Sequence, residues 1–211
     1  MAAMLMGLLA AAACTRSPPE DFGSRQPGTG AALPPAASAA VMPTPGGAGV
    51  PPGRCVRPTP AAAPAAVSPG PAPGCPVDPE GGPPAVPLVK VRFADSGATV
   101  DAELVRSSHD TERGLMYRKA MAEDHGMIFD LVTREDHQFW MHNTCIPLDL
   151  VYVDEDGLIV GIVENAPTLD DTSRGVGCPS RYVVEVNAGW SRRHGVKAGQ
   201  RVAIPREAQN P

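Results

Sequence analysis

Proline is spread so unevenly along this chain that it dictates where folding can happen. Twenty of the 25 prolines precede Leu88, whereas eight of the nine aromatic residues and all five histidines lie from Leu88 onward. A proline ring fixes φ and removes a backbone donor, so neither a helix nor a central strand can run through the first part. The large side chains that build a core lie in the second. A chain of 211 residues has room for one ordinary domain with an extension. The partition predicts that domain at residues 88–207, with 208–211 as a tail.

From Thr15 to about Pro87 the chain is mostly Pro, Ala and Gly, with four acidic residues, four basic residues and one aromatic, Phe22. It cannot bury enough apolar surface to offset the entropy of ordering. Residues 14–87 are therefore expected to be a disordered, polyproline-like tether that spaces the domain from its anchor. Runs such as Pro51-Pro52 and Pro83-Pro84 lack the flanking aromatic or basic residues of a recognition ligand.

The anchor is suggested by the first residues. Met1 to Ala13 is uncharged and apolar, ends in small residues before Cys14, and is too short to span a bilayer. It reads as a secretion signal. Small residues followed by cysteine resemble a bacterial lipobox, in which residues 1–13 are removed and Cys14, the first mature residue, is lipidated. The membrane is then a partner through the acyl chains. Ala11 replaces the usual leucine and no Lys or Arg precedes the run, so a plain cleaved signal and a misplaced start remain as alternatives. Thr15 rather than aspartate after the cysteine points, by resemblance to known lipoproteins, to the outer membrane or periplasm of a Gram-negative cell. The expected location is the cell envelope. A formal charge of -5 offers no basic footprint for nucleic acid.

Within the domain, Leu88 to Ala94 and Thr99 to Val105 alternate apolar with polar around Asp95-Ser96-Gly97, as a hairpin with one wet face does. Ser107 suits a helix N-cap, with Asp110 completing the box and the helix running to about Arg118. Gly126 to Leu131 and His137 to His142 read as strands. Ile146 to Val153 and Leu158 to Val163 form a hairpin around Asp154-Glu155-Asp156-Gly157, apolar on both faces and so covered twice. Arg181 to Val186 is another strand, Gly189 to His194 a short helix, and Gln200 to Ile204 a last strand. The predicted fold class is mainly β with little α: a compact antiparallel β-sandwich or open barrel with two short helices.

Three segments carry a family resemblance: Arg113-Gly114-Leu115-Met116, Phe139 to Leu150 (FWMHNTCIPLDL), and Tyr182 to Gly189 (YVVEVNAG). Together they resemble the bacterial and archaeal family catalogued as domain of unknown function 192. The resemblance covers Leu88 to Ile204 and implies a compact, mainly β domain. It implies no particular reaction.

Lipidation of Cys14 leaves four cysteines, which allow three pairings in an oxidising envelope. The pairing favoured by position is Cys55 with Cys75 inside the tether and Cys145 with Cys178 inside the domain. No CxxC or HxxxH spacing supports a metal site, and no cofactor motif occurs. His137 and His142 are five apart on an expected strand and point to opposite faces.

Asp149 and Glu185 sit in otherwise apolar strands, and a buried carboxylate needs a partner. Arg113 and Arg118 are the natural ones, either locking a helix to the sheet or converging with His142 and Asn143 on a polar-ligand pocket. Trp140 is a stacking platform in one reading and core in the other. Three functions follow in order: a non-catalytic module binding a small ligand, glycan or protein of the envelope; a structural or assembly protein; and a hydrolase using Asp149 or Glu185. No nucleophile–base motif is present, so the balance leans away from an enzyme.

Overall fold

The computed structural model describes residues 50–209. The expected signal at 1–13, the expected lipidation site Cys14, the first part of the expected tether and the end of the tail lie outside the described residues.

Among the described residues, seven strands and three short helices follow in the order β1 (Leu88–Phe93), β2 (Thr99–Val105), α1 (Ser108–Arg113), β3 (His125–Glu135), β4 (Leu148–Val153), β5 (Ile159–Ala166), β6 (Ser180–Asn187), α2 (Trp190–Arg193), β7 (Val202–Ala203) and α3 (Arg206–Gln209). One mixed sheet contains all the strands, ordered β5-β4-β6-β3-β2-β1-β7. Every neighbouring pair is antiparallel except β2 with β3, which the α1 segment connects as a crossover. The sheet curls into a half-barrel. Its two edges meet where Leu158 bridges Arg201 and the Ile159 N–H donates to the Gln200 carbonyl at 2.9 Å.

The fold is thus an open barrel rather than two stacked sheets, and the described residues carry three helices instead of two. Alternation assigns each strand's side chains to one of two cores. Val91, Val100, Ile128, Val184, Val202 and Trp190 form the first, which draws on both edge regions and so lies in the concave interior. Met127, Phe129, Leu148, Leu150, Tyr152 and Val183 form the second, on the outer face beneath the long loops. All six residues of β4 are buried, as a doubly covered strand requires.

Ser107 caps α1 as expected, its hydroxyl accepting from the Asp110 N–H. The helix stops at Arg113, short of Arg118, because Gly114 takes φ 48° and returns its N–H to the Asp110 carbonyl. Residues 137–142 form only a single bridge, Phe139 to Arg174, rather than a strand.

The largest correction concerns the tether. Residues 50–87, though without helix or strand, follow one fixed path along the domain as a strap. Cys55 bonds to Cys178 and Cys75 to Cys145, with Cα separations of 5.5 and 5.4 Å. The expected pairs, Cys55–Cys75 and Cys145–Cys178, assumed that tether and domain do not touch. They do touch, so each disulfide joins one to the other. Burial lost to composition is replaced by covalent closure of long loops.

Candidate functional site

The segment after α1 and the segment before β4 lock together through two strained residues. Tyr117 and Asn143 both have positive φ, 65° and 51°. The Tyr117 N–H donates to the Asn143 carbonyl at 2.8 Å, and Asn143 Nδ2 donates to the Tyr117 hydroxyl at 3.0 Å. Non-glycine residues held there cost about 1 kcal/mol or more each and tend to mark functional sites. From this lock, Met141 turns inward and Phe139 packs against the outer core, while Trp140 and His142 turn outward.

Trp140 is 46% exposed, which overturns the reading of it as core. Its ring stacks on His142 at 4.9 Å between centroids and 27° between planes. His142 is held in turn by Asp171, 2.7 Å from Nδ1. Arg113 closes the back of the site. Its nearly buried guanidinium contacts Asp78 at 2.7 Å and Glu80 at 3.0 Å, and donates to the Gly82 carbonyl at 2.6 Å, all three partners lying in the strap. Burial opposes its charge, but the strap carboxylates hold the guanidinium above its ordinary pKa.

Between these groups lies an open cleft of about 340 Å³, lined among others by Glu80, Arg113, Tyr117, Trp140, His142 and Asn143. A second recess of about 220 Å³ opens on Trp140 from the side of Leu131, His137 and Phe139. Arg113, Trp140, His142 and Asn143 therefore line one cleft.

Three other candidates do not line it. Arg118 forms a two-pronged pair with Glu103, both contacts 2.6 Å, beside a separate recess of about 300 Å³ that Arg113 also lines. His125 adds a third contact to Glu103 at 3.0 Å. Asp149 is fully buried and meets no arginine. Its oxygens accept the backbone N–H groups of Asn165, Gly189 and Ser191 at 2.9–3.0 Å, which fastens the start of α2 and the end of β5 to β4. Glu185 lies one strand over among outer-face apolar residues, opposite Met127 and Leu150. Burial pushes its carboxyl up to about 8, against the smaller pull of Arg118. The expected Arg–Asp149 and Arg–Glu185 pairs do not form, because strap and β2 carboxylates lie closer to the arginines.

Among the described residues, no three His, Cys, Asp or Glu side chains converge as a metal-binding group.

The model of the family DUF192, described as "Uncharacterized ACR", matches residues 89–204. This chain belongs to the DUF192 family. Two solved structures are similar to it. A candidate transcription regulator from Sinorhizobium meliloti 1021 is 37% identical with a TM-score of 0.52, over 57% of this chain and 97% of that one. A protein of unknown function from Novosphingobium aromaticivorans DSM 12444 is 34% identical with a TM-score of 0.55, over 68% and 94%. No curated protein matches.

The DUF192 segment supplies Arg113, Trp140, His142 and Asn143, but the strap before it supplies Asp78 and Glu80. Sequence reasoning missed these two, and it missed Tyr117. The available signal was Cys75: a cysteine in low-complexity chain, in an oxidising setting, seeks a partner and brings its neighbours along.

Proposed function

We propose that this protein is an exported, envelope-tethered binding module, held through lipidated Cys14, whose DUF192 domain takes a small polar ligand or glycan unit on Trp140. The reading is carried by one observation: a large indole, half exposed and oriented by stacking on His142, borders a cleft with hydrogen-bonding walls. An exposed aromatic face of this kind suits the apolar face of a ring, with neighbouring polar groups fixing its orientation. The hydrolase alternative is weaker. Its two carboxylates, Asp149 and Glu185, line none of the clefts around Trp140, and Asp149 is committed to three backbone donors. Nucleic-acid binding suits the surroundings of Trp140 poorly, since Glu80 and Glu112 line its cleft and Asp171 holds His142, and these carboxylates would repel phosphates.

A thermal-shift screen of the full chain against sugars, nucleotides and peptides tests the reading, since a ligand of the folded state raises the melting temperature. The hit should raise the melting temperature of the wild type and leave that of Trp140→Ala unmoved. An equal shift in both moves the site elsewhere. Palmitate should label the wild type in cells and leave Cys14→Ala unlabelled; equal labelling removes the anchor.

A further inference from the structure

Strand β5 is an edge of the sheet, and an open edge is a template for another chain. Here the strap lies along it. The Arg57 N–H donates to the Val160 carbonyl of β5 at 2.7 Å, and Asn165 Nδ2 donates to the Ala65 carbonyl at 2.9 Å. Arg192, braced by Glu164 at 2.9 Å, donates to the carbonyls of Pro60, Ala61 and Ala62 at 2.8, 3.3 and 2.8 Å. Further on, the Ala72 N–H donates to the Cys145 carbonyl at 2.8 Å. With the exception of Thr59, whose hydroxyl accepts from the Ala198 N–H, these contacts read the strap's backbone.

Backbone-directed contacts select a conformation and small or prolyl side chains, not a particular sequence. One position is stricter. A Cβ on Gly70 would stand 2.9 Å from the Cys145 carbonyl oxygen, at φ 55°, so the chain must carry glycine where it passes closest. The strap does not fill its bed: a cleft of about 800 Å³ remains between Val67, Pro69 and Pro71 on one side and Met121, Pro147 and Asn187 on the other. The strap also lies outside the family segment 89–204, as an addition to the DUF192 fold.

We infer that the face formed by β5, α2 and the Cys145–Pro147 segment is a binding groove for an extended proline- and alanine-rich polypeptide, occupied in cis by residues 56–74 while the two disulfides hold them. A dithiol opens the groove. Each equivalent passes two electrons and two protons to one disulfide, giving two cysteine thiols, and is itself oxidised to a disulfide. With both clasps open, the groove accepts such a chain in trans.

The test uses the full chain carrying Gly70→Val, whose own strap clashes with Cys145–Pro147 on reseating, and a fluorescent peptide of residues 56–74 followed by anisotropy. The dithiol-reduced variant should bind this peptide at least tenfold more tightly than the oxidised wild type does. Adding Arg192→Ala should weaken binding about tenfold. No binding by the reduced, folded variant, or equal binding with Arg192→Ala, overturns the inference. If Gly70→Val does not fold, hydrogen exchange on the reduced wild type decides. Fast exchange of the Arg57 and Ala72 amides with β4 and β6 still protected supports a groove with a releasable occupant. Loss of protection throughout makes the strap an integral part of the fold and overturns it.

Discussion

The run from Phe139 to Leu150 has an open end and a closed end, a few residues apart. At the open end, the side chains of Trp140 and His142 line a cleft, stacked on each other, with Asp171 2.7 Å from His142 Nδ1. At the closed end, Asp149 is fully buried with its oxygens committed to three N–H groups. Both ends are chemically conspicuous as sequence. Their difference is whether the fold has already used their bonding capacity, and only unused capacity can serve a ligand. Glu185 is a third case, buried like Asp149 but without its donors.

Within the run from Phe139 to Leu150, removing Asp149 should give the largest effect. Asp149→Ala leaves three donors without an acceptor, that of Ser191 buried and those of Asn165 and Gly189 part-buried, at about 1–3 kcal/mol for each one that water does not reach, so a loss of about 4 kcal/mol is expected in chemical denaturation. A loss below about 1 kcal/mol would mean that water replaces the carboxylate, and the closed end would not be closed.

Glu185 sharpens the point through pH. Its folded-state pKa of about 8 lies above the ordinary 4.5, so the folded state holds the proton more tightly than the unfolded chain. Stability should therefore be full below the unfolded value, fall as pH rises from about 4.5 to about 8, and then level off. Glu185→Gln, which cannot ionise, should lack this slope and exceed the wild type by roughly 3 kcal/mol at pH 7. Melting curves at pH 5 and pH 8 check this, and parallel curves would show that Glu185 finds a partner when charged.

The fold was legible where alternation and turn chemistry agreed. The β1–β2 hairpin, the β4–β5 hairpin around Asp154–Gly157 and the Ser107 cap all lie where pattern places them. The parallel β2–β3 pairing was not, because strand order is set by packing between segments that share no local signal. The candidate site was half legible. Arg113 and Asn143 stood out as residue types, yet the partners of Arg113 come from Asp78 and Glu80, in a segment whose composition alone argues against order. Two covalent links overrule that composition, and pairing cannot be deduced from spacing.

Asn143 lies at the hinge between the two ends. Asn143→Ala loses the hydrogen bond to the Tyr117 hydroxyl and places a Cβ-bearing residue with less αL tolerance at φ 51°, for a loss of about 1–2 kcal/mol. Asn143→Gly relieves the backbone and should lose less. If glycine costs more than alanine, the positive φ of Asn143 is not a source of strain in the lock with Tyr117.

Trp140→Ala should have the smallest effect on stability and the largest on binding. A side chain already 46% exposed gives back little burial, and its principal contact, the stack on His142, is worth about 0.5–1.5 kcal/mol even for well-packed aromatic pairs. Near the surface the expected loss is within about 0.5 kcal/mol. Trp190 serves as the internal contrast, fully buried against Phe93 at 5.2 Å, so that Trp190→Ala should cost about 3–5 kcal/mol. Two tryptophans in one domain then report opposite roles in a single denaturation series. Should Trp140→Ala approach the Trp190 value, the exposed indole is structural after all, and the open end of the signature closes with the rest.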